Sequence, residues 1–128
     1  MKSTFQSFTE LEVWKSSRQL TKEIWLLVKT FPEEEKYRLV DQLIRCSRSI
    51  GANIAEGHGR FTFKDDLSFS IRARGSLNEL YHHLIDAYDC SYIDYEKLKY
   101  FKAQIDKTGK LLNGYIKFLR NQHTNFTN

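Results

Sequence analysis

The 128-residue sequence has few helix-breaking residues, with a single proline, Pro32, and six glycines. It lacks the run of roughly 20 apolar residues that a membrane span requires. It also lacks an N-terminal apolar segment of the roughly 7–15 residues typical of a secretory signal. Hydrophobic residues make up 41% and charged residues 28% of the chain, as in ordinary globular proteins. We therefore expect a helical, cytoplasmic protein with no membrane contact.

Cysteine is scarce as well, with two residues, Cys46 and Cys90. They lack the C-x-x-C spacing of redox and metal motifs, and both fall inside helical patterns. A disulfide framework is therefore not expected. We predict that both thiols are reduced and packed within the protein.

Apolar residues recur at spacings of three and four, which predicts four amphipathic helices. These span about residues 10–30, 34–57, 63–90 and 94–121, with frayed termini, and residues 1–128 are predicted to form one domain. The clearest heptad, in the last helix, comprises Leu98, Phe101, Ile105, Thr108, Leu112, Tyr115 and Leu119. Short connections require consecutive helices to run in opposite directions. The predicted fold class is all-α, an antiparallel up-down-up-down four-helix bundle.

Particular residues predict where the helices begin and end. Thr62 is expected to cap the third helix and Asp94 the fourth, because their side-chain oxygens can accept from open backbone N–H groups. The segment Gly57-His58-Gly59 is expected to supply a residue in left-handed geometry past the end of the second helix, as its C-cap and loop. The predicted core face of the third helix comprises Leu67, Ile71, Leu77 or Asn78, Tyr81, Leu84 or Ile85, and Tyr88.

The second and third helices are predicted to be antiparallel neighbours, with Ser47 level with Gly75. This pairing would bring Gln42 and Arg45 towards Glu79. A partly buried polar network that orients the two helices is therefore predicted.

Known catalytic motifs are missing from the sequence, which has no Gly-x-Ser-x-Gly, P-loop or His-Glu-x-x-His segment. Glu79 and His82 have the Glu-x-x-His spacing of di-iron bundles, but such a site needs a second copy on another helix. His83 lies about 100° around the helix from His82, so the two are not expected to share a metal easily. We predict no enzyme activity, no cofactor and no metal site. A nuclease would have to act without a recognisable metal or acid–base site.

The chain carries 20 Lys and Arg against 16 Asp and Glu, a net charge of +4. One basic set recurs on a face of the first helix around Trp25, and a second is expected near the junction of the second and third helices. The sets are Lys15, Arg18, Lys22 and Lys29, and Arg45, Arg48, Arg60 and Lys64. Arginine donates paired hydrogen bonds to phosphate, so these residues are candidates for nucleic-acid binding. The alternative is that both sets are ordinary solvated faces.

Aromatic residues make up 14% of the chain, and several of them are difficult to bury together in one bundle. These are Trp14, Trp25, Tyr95, Tyr100 and Phe118. Small residues beside the core face of the second helix would also let another helix approach closely. Exposed aromatic surface is typical of subunit interfaces, so we expect a homo-oligomer.

Five segments of the sequence resemble a known family. They are residues 11–15 (LEVWK), 31–35 (FPEEE), 42–46 (QLIRC), 49–57 (SIGANIAEG) and 75–80 (GSLNEL). They are similar to the four-helix-bundle family of intervening-sequence proteins, which are encoded within insertions in bacterial 23S ribosomal RNA genes and elsewhere in genomes. The resemblance spans about residues 8–120, and SIGANIAEG is its most specific part. It implies a bacterial protein whose relatives have no established biochemical activity.

The family also resembles an accessory protein of diversity-generating retroelements, a pentameric, positively charged barrel that binds nucleic acid and a reverse transcriptase. This resemblance implies a pentamer that binds RNA or DNA, with a protein as a possible further partner. The family usually has proline where this chain has Gly51, and either residue weakens a helix and favours a bend. The leading hypothesis is a non-enzymatic, oligomeric, nucleic-acid-binding accessory factor. The alternative is a protein-interaction scaffold that binds no nucleic acid.

Overall fold

The computed structural model describes residues 2 and 6–127, and this part of the chain is helical and contains no β-strand. Its elements are a 3₁₀ turn (Phe8–Glu10), α1 (Glu12–Val28), a second 3₁₀ turn (Glu33–Glu35), α2 (Leu39–His58), α3 (Phe63–Asp89) and α4 (Tyr95–Thr127). The all-α prediction is confirmed. Met1, residues 3–5 and Asn128, which belong to the termini predicted to fray, lie outside the described residues.

Contacts between the helices show that neighbouring helices run in opposite directions. Residues late in one helix meet residues early in the next, and α1 and α4 are related in the same way. The contacts are Thr21 with Ser47, Ser49 with Ser76, Gly57 with Asp66, Tyr81 with Lys102, Asp66 with Tyr115, Ser16 with Thr108 and Glu23 with Tyr100. The predicted up-down-up-down bundle is therefore confirmed.

The α2–α3 pair is antiparallel as predicted, with a small difference in register. Ser49 Oγ lies 2.8 Å from Ser76 Oγ across the two helices. Counting back along both helices from this contact places Ser47 level with Asn78 rather than Gly75. The difference is shorter than one helical turn of about 5.4 Å.

The N-terminal caps of α3 and α4 are those that the sequence predicts. The Asp65 backbone N–H donates to Thr62 Oγ1 at 3.1 Å, and the Lys97 backbone N–H donates to Asp94 Oδ1 at 2.8 Å. Each contact satisfies a backbone donor that has no partner inside its own helix.

The second helix begins later than predicted, at Leu39 rather than near residue 34. Pro32 is extended, with ψ at 146°, and the three glutamates after it form a 3₁₀ turn. Arg38 has φ at −123° and ψ at −105°, which is outside the helical region. The regular hydrogen-bonding pattern of α2 can therefore start only after Arg38.

The last helix continues to Thr127 instead of ending near residue 121. The residues that follow residue 121 are mostly polar but include no proline or glycine, so nothing in the backbone interrupts the helix. Among the described residues, none of the helices, α4 included, is both long enough and apolar enough for a bilayer crossing.

The buried face of α3 differs from the prediction. Ile71 and Tyr88, which the apolar pattern places in the core, are each 39% exposed. The residues buried on α3 are Asp66, Ser70, Ala73, Leu77, Leu80, Leu84 and Ala87. Small side chains at several of these positions allow α3 to pack closely against its neighbours, and its bulkier residues lie nearer the edge.

Gly57 lies inside α2, and the C-cap is Gly59 of the predicted segment, with φ at −78° instead of the expected left-handed geometry. α2 continues to His58, and no glycine in the described part of the chain has a positive φ. A Cβ atom at Gly57 would lie 2.7 Å from Asp66 Oδ1 and 2.9 Å from Phe69 Cβ. The glycine is needed because α3 approaches the backbone of α2 closely at this point. α2 also remains helical at Gly51.

The two cysteines occupy different environments. Cys46 is 4% exposed, and its thiol lies 3.6 Å from the Leu43 carbonyl oxygen. Burial, with a smaller contribution from the Glu79 carboxylate, raises the pKa of the Cys46 thiol to about 12. Cys90 lies at the end of α3 and is exposed, so the prediction that both thiols are packed is wrong for Cys90.

We expect iodoacetamide to modify Cys90 alone in the folded protein, because the reagent needs an accessible thiolate. Intact-mass measurements should give one adduct under native conditions and two in concentrated urea. The variant Cys90→Ser should give no adduct until the protein unfolds. Modification of Cys46 at a rate similar to Cys90 under native conditions would contradict its burial.

Candidate nucleic-acid interface

Basic residues line a groove between α1 and α2, which we call the α1–α2 groove. Its volume is about 380 Å³, and its lining residues are Arg18, Thr21, Lys22, Trp25, Leu26 and Arg48. The α1 residues share this side of the helix because their spacing follows the helical repeat. The antiparallel packing of α2 then adds Arg48 from the opposite wall.

Trp25 presents an exposed aromatic face to the α1–α2 groove. It is 46% exposed, and both Lys29 Nζ and Arg48 Cζ lie over its ring, at 5.3 Å and 5.7 Å from the ring centroid. Cations are attracted to an indole face at these distances. Lys29 belongs to α1 and Arg48 to α2, so Trp25 brings together basic side chains from two helices.

Arg48 therefore lies with the first basic set, and its predicted place in the second set is wrong. Together with Arg18 it also lines an adjoining groove of about 330 Å³ beside Gly51, Ala52 and Ala55. These small residues leave space next to the two guanidinium groups. No spacing within one helix signals this neighbour, because Arg48 reaches the Trp25 ring from a different helix.

Lys15 contributes less than the other members of the first set. Its ammonium nitrogen lies 3.4 Å from Glu12 Oε1, and both side chains are exposed. An exposed pair of this kind is worth little, but it partly neutralises the charge of Lys15. Lys15 does not line the α1–α2 groove.

The second basic set does not form one cluster. Arg45 lies 3.6 Å from Asp41, and Arg60 lies 2.8 Å from Glu56. Arg45 lies in the second turn of α2 and Arg60 just beyond its C-cap Gly59, which at a rise of about 1.5 Å per residue places them about 20 Å apart. Lys64 is exposed in the first turn of α3, at the end of the bundle that Arg60 occupies. The predicted cluster is therefore divided between separate places.

The sequence reasoning missed a basic residue, Arg72. The guanidinium carbons of Arg60 and Arg72 lie 4.7 Å and 4.8 Å from the centroid of the Phe69 ring. The spacing of three residues between Phe69 and Arg72 is the signal that could have identified this contact. Two arginines and an aromatic ring thus form a smaller basic site at the α2–α3 end of the bundle.

The predicted polar network around Glu79 takes a different form. Arg45 is directed towards Asp41 on its own helix, and Glu79 Oε1 lies 3.5 Å from His83 Nε2. The pairing of Arg45 with Glu79 is therefore wrong. Both Arg45 and Glu79 reach solvent and find partners on their own helices, so neither has to cross to the other.

Two histidines and a carboxylate lie together on α3. One ligand atom from each of His82, His83 and Asp86 lies within 4.8 Å of the other two. The rings of His82 and His83 lie close together despite their angular separation around the helix, with centroids 5.1 Å apart. The Glu-x-x-His spacing indicates Glu79 as the carboxylate that would pair with His82. In the structure, the carboxylate near both histidine rings is that of Asp86.

Comparisons with known proteins agree with the fold. Residues 9–114 match the profile of the 23S rRNA-intervening sequence protein family. The chain belongs to this family. A crystal structure from Bacteroides thetaiotaomicron VPI-5482, a protein with unknown function from the S23 ribosomal protein family, is similar at 27% identity with a TM-score of 0.76. The similarity covers 82% of this chain and 95% of that chain.

Membership of the 23S rRNA-intervening sequence protein family confirms the resemblance read from the five segments. Comparison with curated protein sequences found no match. Family membership therefore identifies the fold of this chain but not its function.

Proposed function

We propose that this chain is a non-enzymatic, homo-oligomeric accessory protein that binds RNA or DNA in the α1–α2 groove. The observation that carries the proposal is the arrangement around Trp25. A half-exposed indole ring is flanked by Lys29 and Arg48, and Arg18 and Lys22 line the same groove.

The α1–α2 groove has the two features that binding of single-stranded nucleic acid requires, which are positive charge and an aromatic surface. Arg18, Lys22, Lys29 and Arg48 supply positive charge for phosphates, and arginine in particular can donate two parallel hydrogen bonds to one phosphate. Trp25 supplies a flat apolar surface on which a base can stack, worth about 1–3 kcal/mol per base. Neither part reads base sequence, so the proposed binding has little sequence preference.

The names of the matching family and of the similar crystal structure agree with RNA as a ligand. The matching profile is named for a sequence that intervenes in 23S rRNA, and the similar crystal structure is assigned to a ribosomal protein family. These names describe the relatives, and they support nucleic acid as the partner proposed for this chain.

Oligomerisation is the second part of the proposal, and exposed apolar side chains support it. Apart from Trp25 and Leu26, which line the α1–α2 groove, the exposed large apolar residues are Tyr37, Phe61, Ile71, Tyr88, Tyr95, Tyr100 and Phe118. A single α1–α2 groove gives a weak site, and linking several in one ring can raise avidity by about 10²–10⁴. A pentamer is the ring that the resemblance implies.

The proposal includes no catalytic step because the sequence carries none of the nucleophile, P-loop or zinc-protease motifs. The role proposed is to hold RNA or DNA for another factor.

Replacing Arg18, Lys22 and Arg48 together with glutamine should weaken polynucleotide binding at least tenfold. Each lost phosphate contact lowers the slope of log K against log salt by about 0.7 for a single strand, so three lower it by about 2. Binding would be measured by fluorescence anisotropy with labelled RNA and DNA oligonucleotides over a salt series. Size-exclusion chromatography would check that the oligomer is intact.

A charge-matched control is available on α4. Replacing Lys107, Lys110 and Lys117 with glutamine removes the same charge from outside the groove, so binding should stay near the wild-type level. Trp25→Ala should weaken binding by roughly tenfold with an unchanged salt slope, because it removes stacking and leaves the charges. If the wild type fails to bind at low salt, or the groove variant binds as tightly as the wild type, the scaffold hypothesis replaces this proposal.

A further inference from the structure

A group of imidazole and carboxylate side chains lies near the C-terminal end of α3, apart from the residues of the α1–α2 groove. Asp86 Oδ2 lies 3.6 Å from His82 Nε2 and 3.6 Å from His83 Nδ1. One ligand atom of each residue is within 4.8 Å of the other two. The group thus presents two nitrogens and one oxygen around a common point.

Helix geometry explains why three residues so close in sequence converge. Successive residues are about 100° apart around an α-helix, so Asp86, one turn after His82, projects between the two histidines. A carboxylate at that position can face both imidazole rings at once. The two rings are 5.1 Å apart at their centroids.

The separations fit shared ligation better than direct hydrogen bonding. A distance of 3.6 Å between nitrogen and oxygen is too long for an ordinary hydrogen bond. Ligands about 2.0–2.1 Å from a tetrahedral metal ion are separated from one another by roughly 3.4 Å. The nitrogens of His82 and His83 lie within 4.8 Å of each other, so side-chain movements of about 1 Å would let the three ligands close around one ion.

Glu79 is a carboxylate placed next to one of the two histidines. It lies one turn before His83, and its Oε1 is 3.5 Å from His83 Nε2, the ring nitrogen that does not face Asp86. A metal-binding histidine commonly donates its other N–H to a carboxylate, which sets the tautomer and the ring orientation. At 3.5 Å the contact is longer than an ordinary hydrogen bond, and an approach closer by about 0.5 Å would let Glu79 accept from this nitrogen. The side chain of His83 is only 15% exposed, so its ring is also held by packing.

We propose that His82 Nε2, His83 Nδ1 and Asp86 Oδ2 bind one divalent transition-metal ion of the Zn²⁺ class, with Glu79 orienting His83. Imidazole nitrogen favours Zn²⁺, Ni²⁺ and Cu²⁺, whereas Mg²⁺ and Ca²⁺ favour sites made of oxygen ligands. Three protein ligands leave a fourth tetrahedral position for water or an external group. The site is independent of the proposed nucleic-acid binding, which uses other residues.

Titration of the full chain with ZnCl₂ by isothermal calorimetry tests this site. We expect one ion per chain in wild type and no measurable binding in His83→Ala. The isosteric variant Asp86→Asn should lose most of the affinity as well, which keeps the test valid if His83→Ala folds poorly. Glu79→Gln should weaken Zn²⁺ binding by about 10–100-fold, the range usual for a partner that orients a metal ligand.

His123→Ala is the matched control, since it removes a histidine from α4 and should leave Zn²⁺ affinity unchanged. Thermal melts in EDTA should match between wild type and Glu79→Gln, which separates loss of metal binding from loss of folding. Absence of Zn²⁺ binding in wild type would overturn the proposal. Equal affinity in wild type, Asp86→Asn and Glu79→Gln would also overturn it, because histidines alone would then hold the ion.

Discussion

Replacing Asp66 with alanine is expected to lower the free energy of unfolding by about 3–5 kcal/mol. Asp66 is fully buried, and its Oδ2 lies 2.8 Å from both Lys2 Nζ and the Tyr115 hydroxyl. The Lys2 side chain is itself 6% exposed and donates further hydrogen bonds to the carbonyls of Gly57 and His58. Without the carboxylate, a buried ammonium group and a partly buried phenol lose their shared acceptor.

The protonation state of Tyr115 supports the loss of stability expected for Asp66→Ala. Burial, followed by the charge of Asp66, raises the pKa of the Tyr115 phenol above its usual range, so the hydroxyl stays protonated and donates to Asp66. The contact joins α3 to α4, while Lys2 joins the same carboxylate to the end of α2. Asp66 thus links three helices through one buried group.

Urea unfolding followed by circular dichroism would measure the loss. Asp65→Ala is the matched control, because it removes a neighbouring acidic residue that is exposed, at a cost of less than about 1 kcal/mol. Tyr115→Phe removes one hydrogen bond and should cost about 1 kcal/mol. If Asp66→Ala costs no more than Asp65→Ala, the buried network does not stabilise the bundle.

Substituting alanine at two glycines should have effects of opposite sign. Gly57→Ala is expected to destabilise the protein by about 1–3 kcal/mol, because the added Cβ overlaps a packed region. That atom would lie 2.7 Å from Asp66 Oδ1 and 3.0 Å from the Asp66 carbonyl oxygen. Gly75 has nothing within 4 Å of its Cβ position, so Gly75→Ala should stabilise α3 by about 0.5–1 kcal/mol.

The two glycine variants would be compared in the same urea experiment. A stabilised Gly57→Ala would show that α2 and α3 can separate there at little cost. The close approach of the two helices would then not be the reason for this glycine.

Local features of the chain were enough to predict much of the fold. The heptad of α4 identifies its buried face, where Thr108 is 1% exposed and Leu112 is fully buried. The caps at Thr62 and Asp94 were also predictable, since a cap depends on residues next to each other in sequence. The SIGANIAEG segment was sufficient to indicate the family.

The candidate site was only partly predictable. The side of α1 that carries Arg18, Lys22 and Trp25 follows from spacing alone, and the structure keeps these residues together. Arg48 was assigned to the wrong set, because its neighbours depend on how α2 is rotated against α1. The separation of Arg45 from Arg60 was predictable without the tertiary structure, because the helical residues between them, at about 1.5 Å each, place them about 20 Å apart.

Residues whose environment is determined by packing between helices could not be found from the pattern. Asp66 is charged and therefore expected at the surface, yet Lys2 and Tyr115 from distant parts of the chain surround it. Ile71 is apolar and yet 39% exposed. Hydrophobic periodicity shows that a helix has a buried face, but several rotations fit a mixed sequence such as α3 almost equally well. The choice among them depends on which side chains fit the surfaces of α2 and α4, and that fit exists only once the helices are packed.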